Sequence, residues 1–181
     1  MEEQKKNAPD ALWRPMTQHK PLLNNRPKHI VRGEGCFMIN EDGDRILDAT
    51  AGLWCVNVGH GRKELAEVAK AQMEKLAYVI PVMTSDPAVE LSAKMLEMLG
   101  MDKGHVYFTS SGSEANETAF KIVRQYHLQS GNPRKSKIIS RHRAYHGNTL
   151  ATMSATGQAE RKIGYEPLAP GFLHVPPPYP Y

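Results

Sequence analysis

The sequence predicts an α/β architecture, and three neighbouring stretches carry that expectation. Val106-Tyr107-Phe108 is a short aromatic and β-branched run suited to a buried strand. After the turn Ser111-Gly112-Ser113, the residues Ala115, Ala119, Ile122, Val123 and Tyr126 fall at i, i+4, i+7, i+8 and i+11, an apolar stripe with which a helix can face a sheet. Lys137-Ile138-Ile139-Ser140-Arg141 then supplies a second strand, and strand, long helix, strand at this spacing implies a right-handed parallel crossover.

The turn between the first strand and its helix is the chemically informative point. Ser111, with Glu114 three residues on, fits a capping box. A helix beginning there aims several unpartnered backbone N–H groups in one direction at the positive end of the dipole, which is an anion site. Gly112 lets the backbone approach the anion, and the hydroxyls of Ser111 and Ser113 add donors. Taken alone, the turn fits a purely structural cap equally well. It is neither a Walker A loop nor the Gly-x-Gly-x-x-Gly dinucleotide fingerprint, so a different phosphate is indicated.

In a parallel sheet, ligands bind beyond the carboxyl ends of the strands. Residues 109–113 lie there after the first strand, and His142-Arg143-Ala144-Tyr145-His146-Gly147-Asn148 after the second. Tyr145 is placed to lay its ring over a planar ligand whose phosphate sits in the first segment.

With 181 residues the chain has room for one or two domains, and 40% hydrophobic with 23% charged residues is ordinary for a globular protein. The net charge of +4 is dispersed, which argues against a nucleic-acid partner. Arg141-His142-Arg143, the nearest basic cluster, equally borders an anion site. No stretch has the length of a membrane span and the N-terminus has no signal-peptide core, so a cytoplasmic protein is expected. Cys36 and Cys55 have no metal-ligand spacing, no metal site is expected, and both thiols read as buried and free.

Residues 1–9 are polar and read as frayed, and Asp10 is placed to cap a short turn carrying Leu12 and Trp13, ended by Pro15. Residues 29–32, 36–39 and 45–47 form a predicted antiparallel meander, with Asp42-Gly43 as the hairpin signal between the last two. Residues 48–61 make a glycine-rich loop whose Leu53, Trp54 and Val56 must find cover, Trp54 as a pocket wall or as a core residue. Helices are expected over 64–76, with Leu65, Val68, Ala69, Met73 and Leu76 on one stripe, and over 87–99, with Leu91, Met95 and Met98 on its buried face. For the second, Asp86 is the predicted N-cap, Pro87 the first residue and Gly100 the residue past the end. Gly131-Asn132-Pro133 ends the helix after Ser111. A short helix starts at Thr149 and closes at Gly157, and the proline-rich residues 164–181 read as a connection toward further structure or as an SH3-type ligand. Two parallel strands are few for such a sheet, and the chain reads as cut short.

Read together, these segments resemble the class III pyridoxal-phosphate-dependent aminotransferases, the ω-transaminase family. The resemblance runs from Leu12-Trp13-Arg14-Pro15-Met16-Thr17-Gln18 through Asp42-Gly43-Asp44-Arg45-Ile46-Leu47-Asp48, Gly52-Leu53-Trp54 and Ser110-Ser111-Gly112-Ser113-Glu114-Ala115-Asn116-Glu117 to Tyr145-His146-Gly147 and the proline run. Ala144 to Thr149 and Met153 to Gly157 look most like enzymes with pyruvate as amino acceptor, such as taurine or β-alanine aminotransferases. The resemblance implies the type I fold of pyridoxal-phosphate enzymes. Residues 1–60 would form an N-terminal segment and part of the small domain, and residues 61–181 the first part of the large one. It implies that Ser111, Gly112 and Ser113 hold the phosphate of pyridoxal 5'-phosphate, that Tyr145 stacks on its ring, and that His146 and Gly147 shape the loop beneath. It implies that Trp54 lines a substrate pocket, with Leu53, Trp13 and Met16 nearby or across a homodimer or higher-oligomer interface. The family's Schiff-base lysine and the acid facing the pyridine nitrogen would lie beyond Tyr181. Two functions follow: transamination from a primary amine or ω-amino acid to pyruvate, or a catalytically incompetent, self-associating cofactor-binding module.

Overall fold

The computed structural model describes residues 11–15, 17–22 and 27–179. The predicted cap at Asp10 and the candidate pocket residue Met16 lie outside them. The chain separates into two compact units, Met1–Met83 and Thr84–Tyr181. No helix among the described residues is long and apolar enough to cross a membrane.

In the first unit, a short helix α1 (His19–Leu22) precedes the meander β1 (Ile30–Glu34), β2 (Phe37–Asn40) and β3 (Arg45–Leu47), antiparallel in the order β1-β2-β3 as expected. Strands β2 and β3 pair with Phe37 opposite Leu47 and Ile39 opposite Arg45. Asn40 closes the hairpin: its Oδ1 accepts the Asp44 N–H at 2.7 Å, and its Nδ2 donates to Asp44 Oδ2 at 2.9 Å. Gly43 supplies the left-handed backbone that the turn needs, at φ +88°.

Helix α2 (Lys63–Lys75) follows in the first unit and α3 (Asp86–Met98) opens the second. The N-cap of α3 is Ser85, one residue before the predicted Asp86, because Ser85 is the last residue with extended backbone. Leu99 closes the helix and Gly100 turns left-handed at φ +63°, as expected of a residue just past a helix end. The predicted stripes are present but uncovered: Leu65, Val68 and Met73 of α2 and Leu91, Met95 and Met98 of α3 are all exposed. Periodicity shows which face of a helix is apolar; it does not supply the opposing layer.

Helix α4 (Gly112–Gln129), strand β4 (Ile138–Arg141), helix α5 (Leu150–Ala155) and strand β5 (Phe172–Val175) complete the second unit. Two expectations fail together here. Residues 106–108 form no strand, and Tyr107 is 72% exposed, because no ladder partner stands beside them among the described residues. The parallel pair is instead β4 with β5, from Ile138 opposite Phe172 to Arg141 opposite Val175, with α5 in the connection. Strand β5 lies inside the stretch read as a proline-rich connection. Helix α4 also packs on an unexpected face. Phe120 meets Phe172 edge-to-face at 5.3 Å, and Arg124 lies over the same ring and donates through Nε to the Ser136 carbonyl at 3.2 Å. The predicted stripe through Ile122, Val123 and Tyr126 is exposed on the opposite side.

The best-covered residues of this unit are small and mostly polar: Ser140, Thr152, Ser154, Ala155 and Thr156. The Ser140 hydroxyl donates to the Ala155 carbonyl at 2.5 Å, tying β4 to α5. Thr156, not Gly157, caps α5. Gly157 serves close approach instead: its N–H donates to Ala144 O at 2.8 Å, its carbonyl accepts the Arg143 N–H at 3.0 Å, and a Cβ there would sit 2.0 Å from the Arg141 carbonyl oxygen. Cys36 and Cys55, expected to be buried, are exposed.

The sharpest stability consequence lies at Gly157. Gly157→Ala must push the end of β4 aside, at a cost on the order of 2 kcal/mol or more. Urea unfolding followed by circular dichroism should show a clearly lower midpoint than for Gly112→Ala, whose new methyl meets nothing within 4 Å on a backbone without positive φ.

Candidate functional site

The N-terminus of α4 is built by Ser111, whose extended backbone (φ −156°, ψ 161°) places its side chain over the first turn. Its Oγ accepts the Glu114 N–H at 3.2 Å and its carbonyl accepts the Ala115 N–H at 3.0 Å. The Glu114 carboxylate accepts the N–H of Ser110 at 2.7 Å, one residue earlier than a strict capping box would have it. Among the described residues, no acceptor faces the amides of Gly112 and Ser113. A Cβ on Gly112 would meet nothing within 4 Å. Ser111 and Gly112 are exposed and Ser113 is half-buried.

The loop after β4 is clasped onto this turn. Asn116 Nδ2 donates to the His146 carbonyl at 2.8 Å, and the Asn148 N–H donates to Ser113 Oγ at 3.3 Å. Glu117 Oε1 accepts from Thr149 Oγ1 at 2.6 Å and from the Ala151 N–H at 3.2 Å, so a carboxylate sits at the start of α5. From behind, the His146 N–H donates to Thr156 Oγ1 at 3.0 Å. Gly147 is where loop and helix press together: at φ +132°, its Cβ would lie 2.5 Å from both Ser113 Oγ and Thr152 Oγ1.

This arrangement brings Ser113, His146 and Gly147 together and leaves Tyr145, in the same loop, 53% exposed. The Arg161 guanidinium lies 5.1 Å from the centre of the Tyr145 ring, a cation–π contact. His146 Nε2 is buried without a hydrogen-bond partner, an uncommon and unfavourable state for an imidazole nitrogen. An open groove of about 300 Å³ lies to one side, between residues 107–110 and Glu114, Glu117, Thr118 and Lys121 of α4. It contains none of the residues expected to hold a ligand.

The candidate pocket residues of the first unit stand on a left-handed turn. Ala51, Gly52, Leu53 and Trp54 have φ of +47°, +58°, +58° and +67°, and each non-glycine residue there costs about 1–2 kcal/mol. Leu53 is 60% and Trp54 76% exposed, against the expectation that the loop finds cover for them. Trp13 is exposed too. The turn is held by Asp48, whose side chain is only 3% exposed. Its carboxylate accepts from the Gly52 N–H at 2.8 Å and from Thr50 Oγ1 at 3.1 Å, and lies 2.8 Å from His60 Nε2. The His60 contact, followed by the other donors, holds the Asp48 carboxyl below the usual carboxylate range.

Sequence reasoning passed over Asn116, Glu117 and the pair Asp48–His60. Ser113, Asn116 and Glu117 share a helix face at i, i+3 and i+4, a polar stripe readable as a docking face. Asp48 and His60, twelve residues apart, give no such signal.

The helix start at Ser111, clasped by the loop that follows β4, belongs to an α/β protein. The chain belongs to the class-III aminotransferase family, whose model matches residues 22–181. It is 57% identical over 81% of its length to an uncharacterized aminotransferase, YhxA, of Bacillus subtilis, of which it spans 32%. It is 44% identical over 91% of its length to a taurine–pyruvate aminotransferase of Bilophila wadsworthia, of which it spans 36%. Among solved structures, an ω-transaminase of Pseudomonas jessenii in complex with PMP matches 93% of this chain and 38% of its own, at 35% identity and a TM-score of 0.87. The chain thus has the type I aminotransferase fold and spans about a third of the length of these curated relatives.

Two outcomes are expected from this geometry. Glu117→Ala should cost on the order of 1–3 kcal/mol, because two donors at the start of α5 lose their acceptor; hydrogen exchange should show faster exchange at Ala151 and its neighbours. Asp48 has a lowered folded pKa, so its contribution is complete above the ordinary carboxylate value, declines below it, and is gone once pH passes the folded value. Thermal melts over that acid range should show a decline that Asp48→Asn flattens.

Proposed function

We propose that this chain supplies the phosphate cup and ring-stacking tyrosine of a pyridoxal-phosphate-dependent transaminase that moves an amino group from a primary amine or ω-amino acid to pyruvate. The observation that carries the reading is the open pair of amides at Gly112 and Ser113 beside the clasped Tyr145 loop. The acceptor and cofactor classes are supported by the likeness to a taurine–pyruvate aminotransferase and to a structure in complex with PMP.

The residues present fit a phosphorylated planar ring. The amides of Gly112 and Ser113 take phosphate oxygens; Ser111 Oγ and Ser113 Oγ each already accept one backbone N–H, which leaves their protons to donate. The Tyr145 ring covers the heterocycle, and Gly147 lets the loop come this close to α4. His146, whose carbonyl accepts from Asn116 and whose N–H donates to Thr156, shapes the loop beneath the ring in this reading. When bound, the pyridine ring acts as an electron sink for proton loss at the amine-bearing carbon. Trp54, Leu53, Trp13 and Met16 form the substrate wall in this reading, in a cytoplasmic protein assembled as a homodimer or higher oligomer.

The exposed apolar stripes of α2, α3 and α4 favour a second reading, a non-catalytic module that binds cofactor and self-associates. Titration of pyridoxal phosphate against the wild type and Tyr145→Ala tests cofactor binding: loss of the stack should weaken it about tenfold, in line with aromatic stacking of about 0.5–1.5 kcal/mol. No binding, or equal binding, refutes the proposed pocket. No lysine here matches the family's lysine motif, so borohydride should trap no lysine adduct on the 181-residue chain. Amine-dependent formation of alanine from pyruvate, with and without added cofactor, separates the transaminase from the module.

A further inference from the structure

We propose that Asp48 and His60 are positioning residues that impose the left-handed turn Ala51–Trp54 and thereby fix the direction of Trp54; the functional part of this rests on the reading that Trp54 lines the substrate pocket.

His60 is the fixed end of this device. Its N–H donates to the Gly35 carbonyl at 2.8 Å and its carbonyl accepts the Gly35 N–H at 3.1 Å, which pairs it with the end of the meander. Its side chain is seated against Gly33, where a Cβ would come 2.6 Å from His60 Cβ, so only glycine leaves that seat open. Asp48 follows β3 directly, and its N–H donates to the Cys36 carbonyl at 2.9 Å, so its backbone also belongs to the sheet. Oδ2 of Asp48 receives both the His60 ring nitrogen and the Gly52 N–H, each at 2.8 Å.

The turn is the end that must be held. Three of its four left-handed residues, Ala51, Leu53 and Trp54, carry side chains that disfavour this backbone, and Leu53 and Trp54 are too exposed to gain cover from it. At Gly52 a Cβ would lie 2.7 Å from Val56 Cγ2, so no side chain fits at the pivot. The bonds that oppose the strain are those to Asp48 and the backbone bonds from Trp54 N–H to Thr50 O at 2.9 Å and from Val56 N–H to Ala51 O at 2.8 Å. Ala51 N–H also donates to the Asp48 carbonyl at 3.2 Å, and the carboxylate bond to Gly52 is the one made by an oxygen that His60 shares. An unheld turn relaxes to negative φ and sends the indole elsewhere.

The sequence contains two tryptophans, so Trp13→Phe leaves Trp54 as the sole indole reporter. In that background Asp48→Asn should lower the fluorescence anisotropy of Trp54 and reduce its near-ultraviolet dichroism at least twofold, with far-ultraviolet dichroism unchanged. His60→Asn should do the same, and provides the measurement should Asp48→Asn fail to fold. Ala51→Gly, which removes one strained residue, should restore at least half of the lost signal. Unchanged anisotropy in both variants, or no rescue by Ala51→Gly, overturns the proposal. The pocket reading fails separately if β-alanine with pyridoxal phosphate leaves Trp54 emission unaltered in a turn whose dependence on Asp48 has been shown.

Discussion

The second unit depends on one polar contact surface, the one through which the first turns of α4 hold the loop that follows β4. Little apolar area is buried in this unit; its covered residues include Ser140, Thr152, Ser154, Ala155 and Thr156. What joins the elements is a set of directed bonds from Ser113, Asn116 and Glu117 to the backbone and hydroxyls of residues 146–151. Bonds to a charged acceptor contribute about 1.5–3 kcal/mol each and neutral ones about 1 kcal/mol. A hydrophobic contact tolerates sliding, whereas these bonds fix register. The first turn of α4 and the Tyr145 loop are therefore neighbouring segments joined by these bonds.

Three glycines divide the labour. Gly147 and Gly157 are pressed so tightly that an added carbon would lie within 2.5 Å or less of its neighbours, and their role is explained by packing. Gly112 has open space where its side chain would be, and its backbone needs no left-handed conformation. Nothing within the chain calls for glycine there. The proposed phosphate site would call for it, since a side chain there would stand in the path of an anion approaching the exposed amide.

Legibility tracked the range of the interactions. The meander, the helix start after Ser111 and the glycine stop at Gly100 were readable, because hairpins, caps and αL termini are decided by residues a few positions apart. Helix faces were readable as patterns, but not which face would be covered: α4 packs through Phe120 and a polar stripe while its apolar stripe faces outward. Residues 106–108 have strand propensity and no partner, and β5 has a partner in β4 despite its proline-rich surroundings. Ladder formation is a property of two segments. The Ser111-Gly112-Ser113 turn and Tyr145-His146-Gly147 could be named from the sequence. Asn116 and Glu117 were readable only as a polar helix face and not by partner, and Asp48 with His60 not at all, because their partners are set by tertiary contact.

One residue of α4, Glu114, opposes the proposed anion, and the outcome depends on magnitude. Glu114 places a carboxylate in the first turn, where it already satisfies the positive end of the dipole, a contribution of about 0.3–1 kcal/mol. That carboxylate is bonded to the Ser110 N–H, and Glu114's own N–H is taken by Ser111, so neither competes for the amides of Gly112 and Ser113. A phosphate accepting from those two amides gains charge-assisted bonds of about 1.5–3 kcal/mol each, which exceeds the repulsion from one partly solvated carboxylate. Glu114 therefore caps the helix without occupying the amides of Gly112 and Ser113, which the proposed phosphate site requires.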